Sequence, residues 1–394
     1  MKKGLLGSTA LIGATALMAG AAGAAEAPTW KLTGNANFQI YNIDQNFLAF
    51  TSATGTISGF PATLVTATIL PVASGQHQDH GWYFGVDEAE LQLNVSGTAD
   101  NGLSYGFKIE INANTTDGAV ADEARLELSG SWGTLQLGDE DGAEDIMNYG
   151  GEDLMGATGG FDGDFDDVLI RVRRVIGGVD AMGIAPSYPT IAGDTGDATK
   201  VTYYSPRFSG FQVGASVTPQ PSLAGDNFKM DSGLFEDHYG IGANYDNSFG
   251  DLRIRASAVY SAASSTITGV EDISAWSVGG IVGFGAFSVG ANYTDNGDSV
   301  SVWGPNVESS YWDVAASFET GPIYLSAGYF ASERTISNDG APGDSTFTTV
   351  SLTADYSVAP GLGVYAEIDL IEDEYFGIFT NDATVLIMGA NVSF

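Results

Sequence analysis

The residues best suited to chemistry lie in one long stretch of the chain, residues 139–198, which we name the acidic loop. Its first part contains eleven carboxylates and no basic residue: Asp139, Glu140, Asp141, Glu144, Asp145, Glu152, Asp153, Asp162, Asp164, Asp166 and Asp167. Three arginines follow: Arg171, Arg173 and Arg174. Rings of acidic side chains select cations in a narrow aqueous passage, and opposite charges on facing walls orient dipolar solutes. The separation of the acidic residues from the arginines along this loop therefore predicts a charged constriction in an aqueous passage.

Four more basic residues are candidates for the wall that faces such a constriction: Lys108, Arg125, Arg253 and Arg255. Each occupies a polar position of an alternating segment, so each points the same way as the polar side chains of its strand. A second interpretation stays open, in which the acids form a solvated loop and the basic residues pair with acids along an inner wall. For the cluster as a whole we favour the constriction.

Clustered carboxylates on a glycine-rich loop also suit calcium, which takes about six to eight oxygen ligands. Asp162, Asp164 and Asp166 are the candidate ligands, although the segment lacks the glutamate that closes an EF-hand loop. The sequence requires no cofactor, and calcium is the one that it allows.

Catalytic signals are weak, so the sequence does not indicate an enzyme. The chain has no cysteine, which excludes a thiolate nucleophile or thiolate metal site. Its histidines all lie in or beside long loops: His77, His80 and His238. The catalytic alternative is a Ser–His pair at the rim of a barrel.

Period-two alternation of apolar and polar residues dominates the chain. Leu91 and Leu93 alternate with Gln92 and Asn94, for example, and such alternation predicts a strand with one apolar and one polar face. We identify sixteen such segments: 30–41, 83–96, 102–113, 121–130, 133–138, 199–205, 210–217, 237–246, 251–261, 273–284, 286–294, 309–318, 322–332, 345–357, 362–372 and 383–394. Most approach the roughly ten residues that a tilted membrane strand needs. Fourteen or eighteen strands also fit the pattern.

The connections alternate between short turns and long loops, which is the sidedness of an outer-membrane barrel. We therefore predict an all-β fold, a transmembrane antiparallel β-barrel. A β-propeller is disfavoured because no blade repeat of about 40 residues occurs. A string of sandwich domains is disfavoured because no domain linkers interrupt the pattern.

The first residues predict export. Lys2 and Lys3 precede an uncharged stretch, residues 5–23, and a cluster of small residues, the pattern of a cleaved signal peptide. We place the signal peptide at residues 1–25 and a single barrel domain at residues 26–394. Without the two lysines the chain has 12 basic and 49 acidic residues, a formal charge of −37 (12 − 49). Such a charge argues against nucleic acid as a partner, because phosphate contacts need basic patches.

Three segments resemble a known family. The last strand alternates up to a terminal Phe394, which resembles the C-terminal assembly signal of bacterial outer-membrane barrels. Residues 200–217 resemble the strand–turn–strand segment of Gram-negative general porins, with Ser205-Pro206 at the turn. Residues 153–163 resemble part of the third loop of alphaproteobacterial porins. We therefore identify the chain as similar to the general porin family of that class.

This resemblance implies a homotrimer of sixteen-stranded barrels in the outer membrane of a Gram-negative bacterium. It further implies that the long third loop, here the acidic loop, folds into each pore. The partners would be outer-membrane lipid, two further copies of the chain, and the small hydrophilic solutes and ions that diffuse through. The acids predict a preference for cations. The alternative function is a channel specific for a sugar or another nutrient.

Overall fold

The computed structural model describes residues 26–46, 54–55, 67–68, 80–113, 121–171, 175–176, 179–180, 185–229, 233–299, 307–336, 344–375 and 379–394. Sixteen antiparallel strands form one sheet. They are β1 (Glu26–Gln45), β2 (His80–Gly85 and Ala89–Thr98), β3 (Ser104–Asn112), β4 (Ala121–Gly130), β5 (Gly133–Asp139), β6 (Thr199–Tyr204), β7 (Phe211–Thr218), β8 (Phe235–Phe249), β9 (Leu252–Ser265), β10 (Ile273–Phe284), β11 (Phe287–Gly297), β12 (Val307–Thr320), β13 (Ile323–Ile336), β14 (Ser345–Ala359), β15 (Leu362–Tyr375) and β16 (Phe379–Ser393).

The sheet closes into a barrel because its first and last strands pair with each other. Each strand pairs with its neighbours in the chain, and β1 pairs with β16 in a register that sets Asn35 opposite Ser393. A closed barrel leaves no strand edge unpaired, so every backbone group within it has a partner. The sixteen predicted strands are all present, one of them in two segments, and most extend a few residues beyond the predicted bounds.

One strand is interrupted, which the sequence pattern did not predict. β2 consists of two segments that both pair with β1, and residues 86–88 separate them. The Asn37 side chain fixes this break, because its Oδ1 accepts hydrogen bonds from the backbone N–H groups of Asp87 at 3.0 Å and Glu88 at 2.9 Å. The predicted strand 83–96 is therefore wrong as a continuous element. The break depends on Asn37 of the neighbouring strand. The alternation of residues within residues 83–96 contains no information about that contact.

Exposure alternates along the strands and separates two faces of the barrel. In β12, Trp312 is 44% exposed and Val314 is 37% exposed, whereas Asp313 between them is 1% exposed. The apolar, exposed face is the one that a membrane barrel turns to lipid. The polar face therefore lines the interior.

The connections include tight turns and short helical elements. Gly285 and Gly321 lie in two-residue turns with φ of 58°, a left-handed conformation that glycine adopts without strain. The acidic loop contains helix α1 (Ala143–Ile146) and three 3₁₀ turns, at Glu152–Leu154, Gly160–Asp162 and Asp164–Asp167. In the described part of the chain no helix is long and apolar enough to cross a membrane. The predicted signal peptide lies outside the described residues.

Candidate functional site

The acidic loop follows the polar face of the barrel wall from strand to strand. Between Ala143 and Ile170 it shares a hydrogen bond with at least one side chain on each of ten successive strands, β7 to β16. In strand order these are Ser216, Asn244, Ser257, Ser277, Asn292, Asp313, Ser326, Asp355, Glu367 and Asn381. At β1, Gln39 donates to Asp164 and Gln45 accepts from the backbone of Ile170. The loop is thus fixed to the wall by contacts that the alternating sequence did not reveal.

Glycines on the polar face make room for the loop backbone. A Cβ on Gly279 of β10 would lie 1.9 Å from the carbonyl oxygen of Tyr149, and one on Gly328 of β13 would lie 2.4 Å from the ring of Phe161. Glycine inside a strand often marks a close approach of another part of the chain. These glycines were the available signal for the path of the loop, and the sequence interpretation missed them.

Aromatic packing adds an apolar attachment at the middle of the loop. Phe161 stacks on Phe330 of β13 with ring centroids 6.0 Å apart, and Phe165 stacks on Phe347 of β14 at 6.3 Å. All four rings are fully buried. The interior of the barrel therefore contains an apolar cluster, although the strands were expected to present only polar side chains inward.

Glu144, one of the predicted constriction acids, is instead fully buried beside the wall. Its two carboxylate oxygens accept hydrogen bonds from Thr195 at 2.8 Å and Ser216 at 2.7 Å. His238 lies 3.8 Å from the same carboxylate and contacts Ser261 at 3.0 Å. Both contacts of His238 use Nε2, so this Ser, His and Glu do not form a catalytic relay, in which two different ring nitrogens are used. Buried as they are, they anchor the loop.

Other predicted acids face water. Asp145, Asp153, Asp162, Asp166 and Asp167 are exposed, and so is Asp194 in the later part of the loop. Although Asp162 has an accessible surface, the surrounding protein atoms displace much of the bulk water near it, and this effect, followed by the charges of Asp313 and Asp166, raises the pKa of Asp162 to about 7. Burial similarly raises the pKa of Asp141 to about 6. For both carboxyl groups the loss of water is the larger cause, and neighbouring negative charges add to it.

Two wall arginines meet acids of the loop. Arg125 of β4 pairs with Glu140, and with Glu123 at 3.1 Å. Arg255 of β9 lies 3.9 Å from Asp153 and 5.1 Å from the ring centre of Tyr149.

Lys108 forms ion pairs with the carboxylates of Glu123, at 2.8 Å, and of Glu110. Together with Arg125 it lines a cavity of about 380 Å³ against the polar face of β2–β4. Its lining also includes hydroxyl groups and a carboxylate, among them those of Ser96, Ser104, Ser129 and Glu127, together with apolar side chains such as Val95 and Phe107. Lys108 and Arg125 thus share the wall acid Glu123.

The remaining predicted residues lie elsewhere. Arg171 fastens the loop to β15, with hydrogen bonds of 2.7 and 2.9 Å to Asp373. Arg253 pairs with Asp246 of the adjacent strand at 2.6 Å and is not brought to the loop. Asp139 ends β5 and accepts from Thr199. Arg173 and Arg174 lie outside the described residues, as does His77.

The predicted calcium ligands do not form a compact group. Within the described residues, the group of three or more carboxylates whose oxygens all lie within 4.8 Å of one another is Glu123, Glu140 and Asp141, not Asp162, Asp164 and Asp166. Arg125 already pairs with two members of the observed group. Asp164 instead faces Gln39, whose amide donates to it at 2.5 Å.

Phe394 closes the seam of the barrel. Its backbone N–H donates to Gly34 at 3.0 Å and its ring is 70% exposed on the outer face, where a Cβ on Gly34 would lie 2.9 Å from it.

The closed sixteen-stranded barrel, its apolar outer face and its polar interior define an outer-membrane channel of the porin type. A sequence model of Gram-negative porins matches residues 8–374. The chain belongs to the Gram-negative porin family, and its place is the outer membrane of a Gram-negative bacterium.

Relatives by sequence are uncharacterized proteins of Rickettsia. One from Rickettsia bellii is 25% identical over 223 residues, which are 43% of this chain and 49% of that protein. One from Rickettsia felis is 21% identical over 382 residues, which are 78% of this chain and 84% of that protein. The first match thus spans about half of its relative, whereas the second spans most of it.

Solved structures share the fold at low sequence identity. An anion-selective porin from Comamonas acidovorans has a TM-score of 0.60 at 14% identity, covering 93% of this chain and 100% of its own. OmpT of Vibrio cholerae in its trimer form has a TM-score of 0.59 at 15% identity, covering 94% and 100%. A mutant porin of Rh. blastica has a TM-score of 0.53 at 18% identity, covering 93% and 100%.

Proposed function

We propose that the protein is a water-filled channel for passive diffusion of ions and small hydrophilic solutes, with a preference for cations. The hydroxyl-lined cavity against β2–β4 supports a hydrophilic passage. The ten successive contacts along the wall support a lumen that the acidic loop narrows. Diffusion requires no enzymatic step, and the buried arrangement of His238 and Ser261 gives no support to catalysis.

The observation that carries the cation preference is the imbalance of water-facing charge on the acidic loop. Apart from Asp153, which Arg255 approaches, four of the predicted acids and Asp194 are exposed. Lys108, Arg125 and Arg255, by contrast, already pair with carboxylates. An excess of fixed negative charge in a narrow passage concentrates cations and repels anions. The barrel itself does not decide selectivity, since an anion-selective porin has the same fold.

We further propose that the channel assembles as a homotrimer in outer-membrane lipid. The apolar outer faces of the strands suit contact with lipid or with another copy. A trimer form of OmpT from Vibrio cholerae has a similar barrel.

The test of ion preference is the reversal potential of the purified channel in a planar bilayer under a KCl gradient. The parent channel should be cation-selective, and a variant with Asp162, Asp166 and Asp167 changed to Asn should be less so. Selectivity should weaken as pH falls through the raised pKa of Asp162, because the acids then become neutral. It should also weaken with salt, since the screening length falls from about 10 Å at 0.1 M to about 3 Å at 1 M.

A matched control is Asp246→Asn, which removes a carboxylate paired with Arg253 away from the loop. This variant should keep the selectivity of the parent. An anion-selective parent, or a triple variant with the parent's reversal potential, would contradict the proposal.

A further inference from the structure

A small cavity lies where the acidic loop meets the break in β2. Its volume is about 180 Å³. The side chains that matter to its chemistry are Asn35, Gln39, Asp87, Glu88, Asp164 and Tyr365. No Lys, Arg or His occurs among the described residues that line it. The cavity is therefore rich in oxygen and has no cationic side chain.

Two amide oxygens in this lining have no hydrogen-bond partner. Gln39 is fully buried, and its Nε2 donates to Asp164 at 2.5 Å, which leaves its Oε1 without a donor. The buried Oδ1 of Asn35 lacks a partner as well. An unpaired buried acceptor destabilises the folded state, so a native site normally supplies a partner.

Two carboxylates of this lining, those of Asp87 and Asp164, also lie close to each other. The Asp87 side chain lies within hydrogen-bonding distance of the carboxyl groups of both Asp164 and Asp167. Its position is fixed, because Asn37 holds the backbone N–H groups of Asp87 and Glu88 at the break in β2. Asp164 is fixed as well, since its backbone N–H donates to Thr158 at 3.3 Å and Gln39 holds its side chain.

We propose that this cavity binds calcium, with the carboxylates of Asp87 and Asp164 and the amide oxygen of Gln39 as protein ligands. Calcium accepts carboxylate and amide oxygens in irregular geometry and completes its shell with water. Magnesium requires a near-octahedral shell and dehydrates reluctantly, so this mixed set suits it less. The bound ion would join the acidic loop to β2 across the interior. The proposal does not depend on the ion selectivity of the pore.

Calcium binding can be measured by titration calorimetry on the full-length protein in detergent, after treatment with a chelator. The parent should bind calcium saturably, with magnesium much weaker, and calcium should raise its melting temperature because a ligand specific for the folded state stabilises it. Asp87→Asn should weaken calcium affinity about tenfold or more, since affinity follows the number of charged ligands.

Asp166→Asn is the matched control. It removes an exposed carboxylate from the same 3₁₀ turn that contains Asp164, but Asp166 does not line the cavity. This variant should keep the parent's affinity. Circular dichroism and heat-dependent migration establish that both variants are folded.

Gln39→Met gives a second, independent arm, because it preserves the size of the side chain and removes the amide oxygen. It should weaken binding without changing the net charge. A parent that binds no calcium would overturn the proposal. Equal weakening by Asp87→Asn and Asp166→Asn would also overturn it, because the ion would then be held diffusely by the acidic loop.

Discussion

At the scale of single residues, the position of a carboxylate matters more than its charge. Glu144 belongs to the same acidic run as Asp162, yet it is fully buried and holds Thr195 and Ser216, whereas Asp162 faces water. Composition identifies the acidic run, but a loop has no period from which the facing direction of each side chain follows. The division into anchoring and water-facing acids therefore needed the structure.

Glu144→Ala should loosen the acidic loop. The substitution leaves two hydroxyl groups without their charged acceptor, and a hydrogen bond to a charged group contributes about 1.5–3 kcal/mol. Single-channel recordings should then show larger current fluctuations than the parent, and the melting temperature should fall. Gly240→Ala should act alike, because a Cβ there would lie within bonding distance of the Glu144 carboxylate.

The control for this pair is Asp153→Asn, at an exposed acid of the same loop. Asp153→Asn should alter ion selectivity and leave the current fluctuations at the level of the parent. Quiet channels from both Glu144→Ala and Gly240→Ala would show that Glu144 does not anchor the loop.

Phe394→Ser should reduce insertion into the outer membrane while export continues. The Phe394 ring is 70% exposed, so its loss removes little packing from the folded barrel, and a defect would report recognition during assembly. Surface labelling and fractionation measure the two steps. Val392→Ser, at a 53% exposed position of the same strand, is the control and should insert more efficiently. Normal surface levels of Phe394→Ser would contradict the assembly signal.

At the scale of elements, the strands were predictable and the path of the loop was not. Each strand carries its own evidence, since apolar and polar residues alternate within it. The break in β2 and the route of the acidic loop arise from contacts between residues far apart in the chain, such as Asn37 with Asp87 and Tyr149 with Ser257. Glycines at polar-face positions of the strands are the local sign of that route in the sequence.

Gly279→Ala should displace the acidic loop and widen the channel. The new Cβ would lie 1.9 Å from the carbonyl oxygen of Tyr149, and relief requires that the loop backbone move. Such overpacking costs about 1–3 kcal/mol. We expect higher single-channel conductance with weaker cation selectivity.

Gly283→Ala is the matched control on the same face of β10. The nearest atom to its new Cβ would be the mobile Ser288 hydroxyl at 3.1 Å, so the channel should behave as the parent does. If Gly279→Ala also conducts as the parent does, the loop does not set the width of the pore.

At the scale of the whole molecule, the barrel is apolar outside and polar inside, so its association must use its outer surface. Large aromatic side chains gather on β1 and β2, where Trp30, Phe38, Trp82 and Phe84 are 72, 50, 57 and 67% exposed. The rings of Phe38 and Phe84 stack at 6.4 Å. Such a surface suits a contact between copies, because aromatic residues are enriched in protein interfaces.

We therefore expect a trimer that resists sodium dodecyl sulfate at room temperature and dissociates on boiling. Phe84→Lys should yield monomers, because the charge would have to be buried in the interface.

A lysine facing lipid at the midplane costs about 2–4 kcal/mol by itself, so a lysine elsewhere on the outer face must serve as the control. Val278→Lys is such a control, because Val278 is 42% exposed and its strand, β10, is several strands away from β1 and β2. The Val278→Lys variant should stay trimeric. Electrophoresis without heating, checked by light scattering in mild detergent, distinguishes the species. A parent protein that is monomeric under mild extraction at neutral pH would contradict the trimer, and equal dissociation of both lysine variants would place the interface away from β1 and β2.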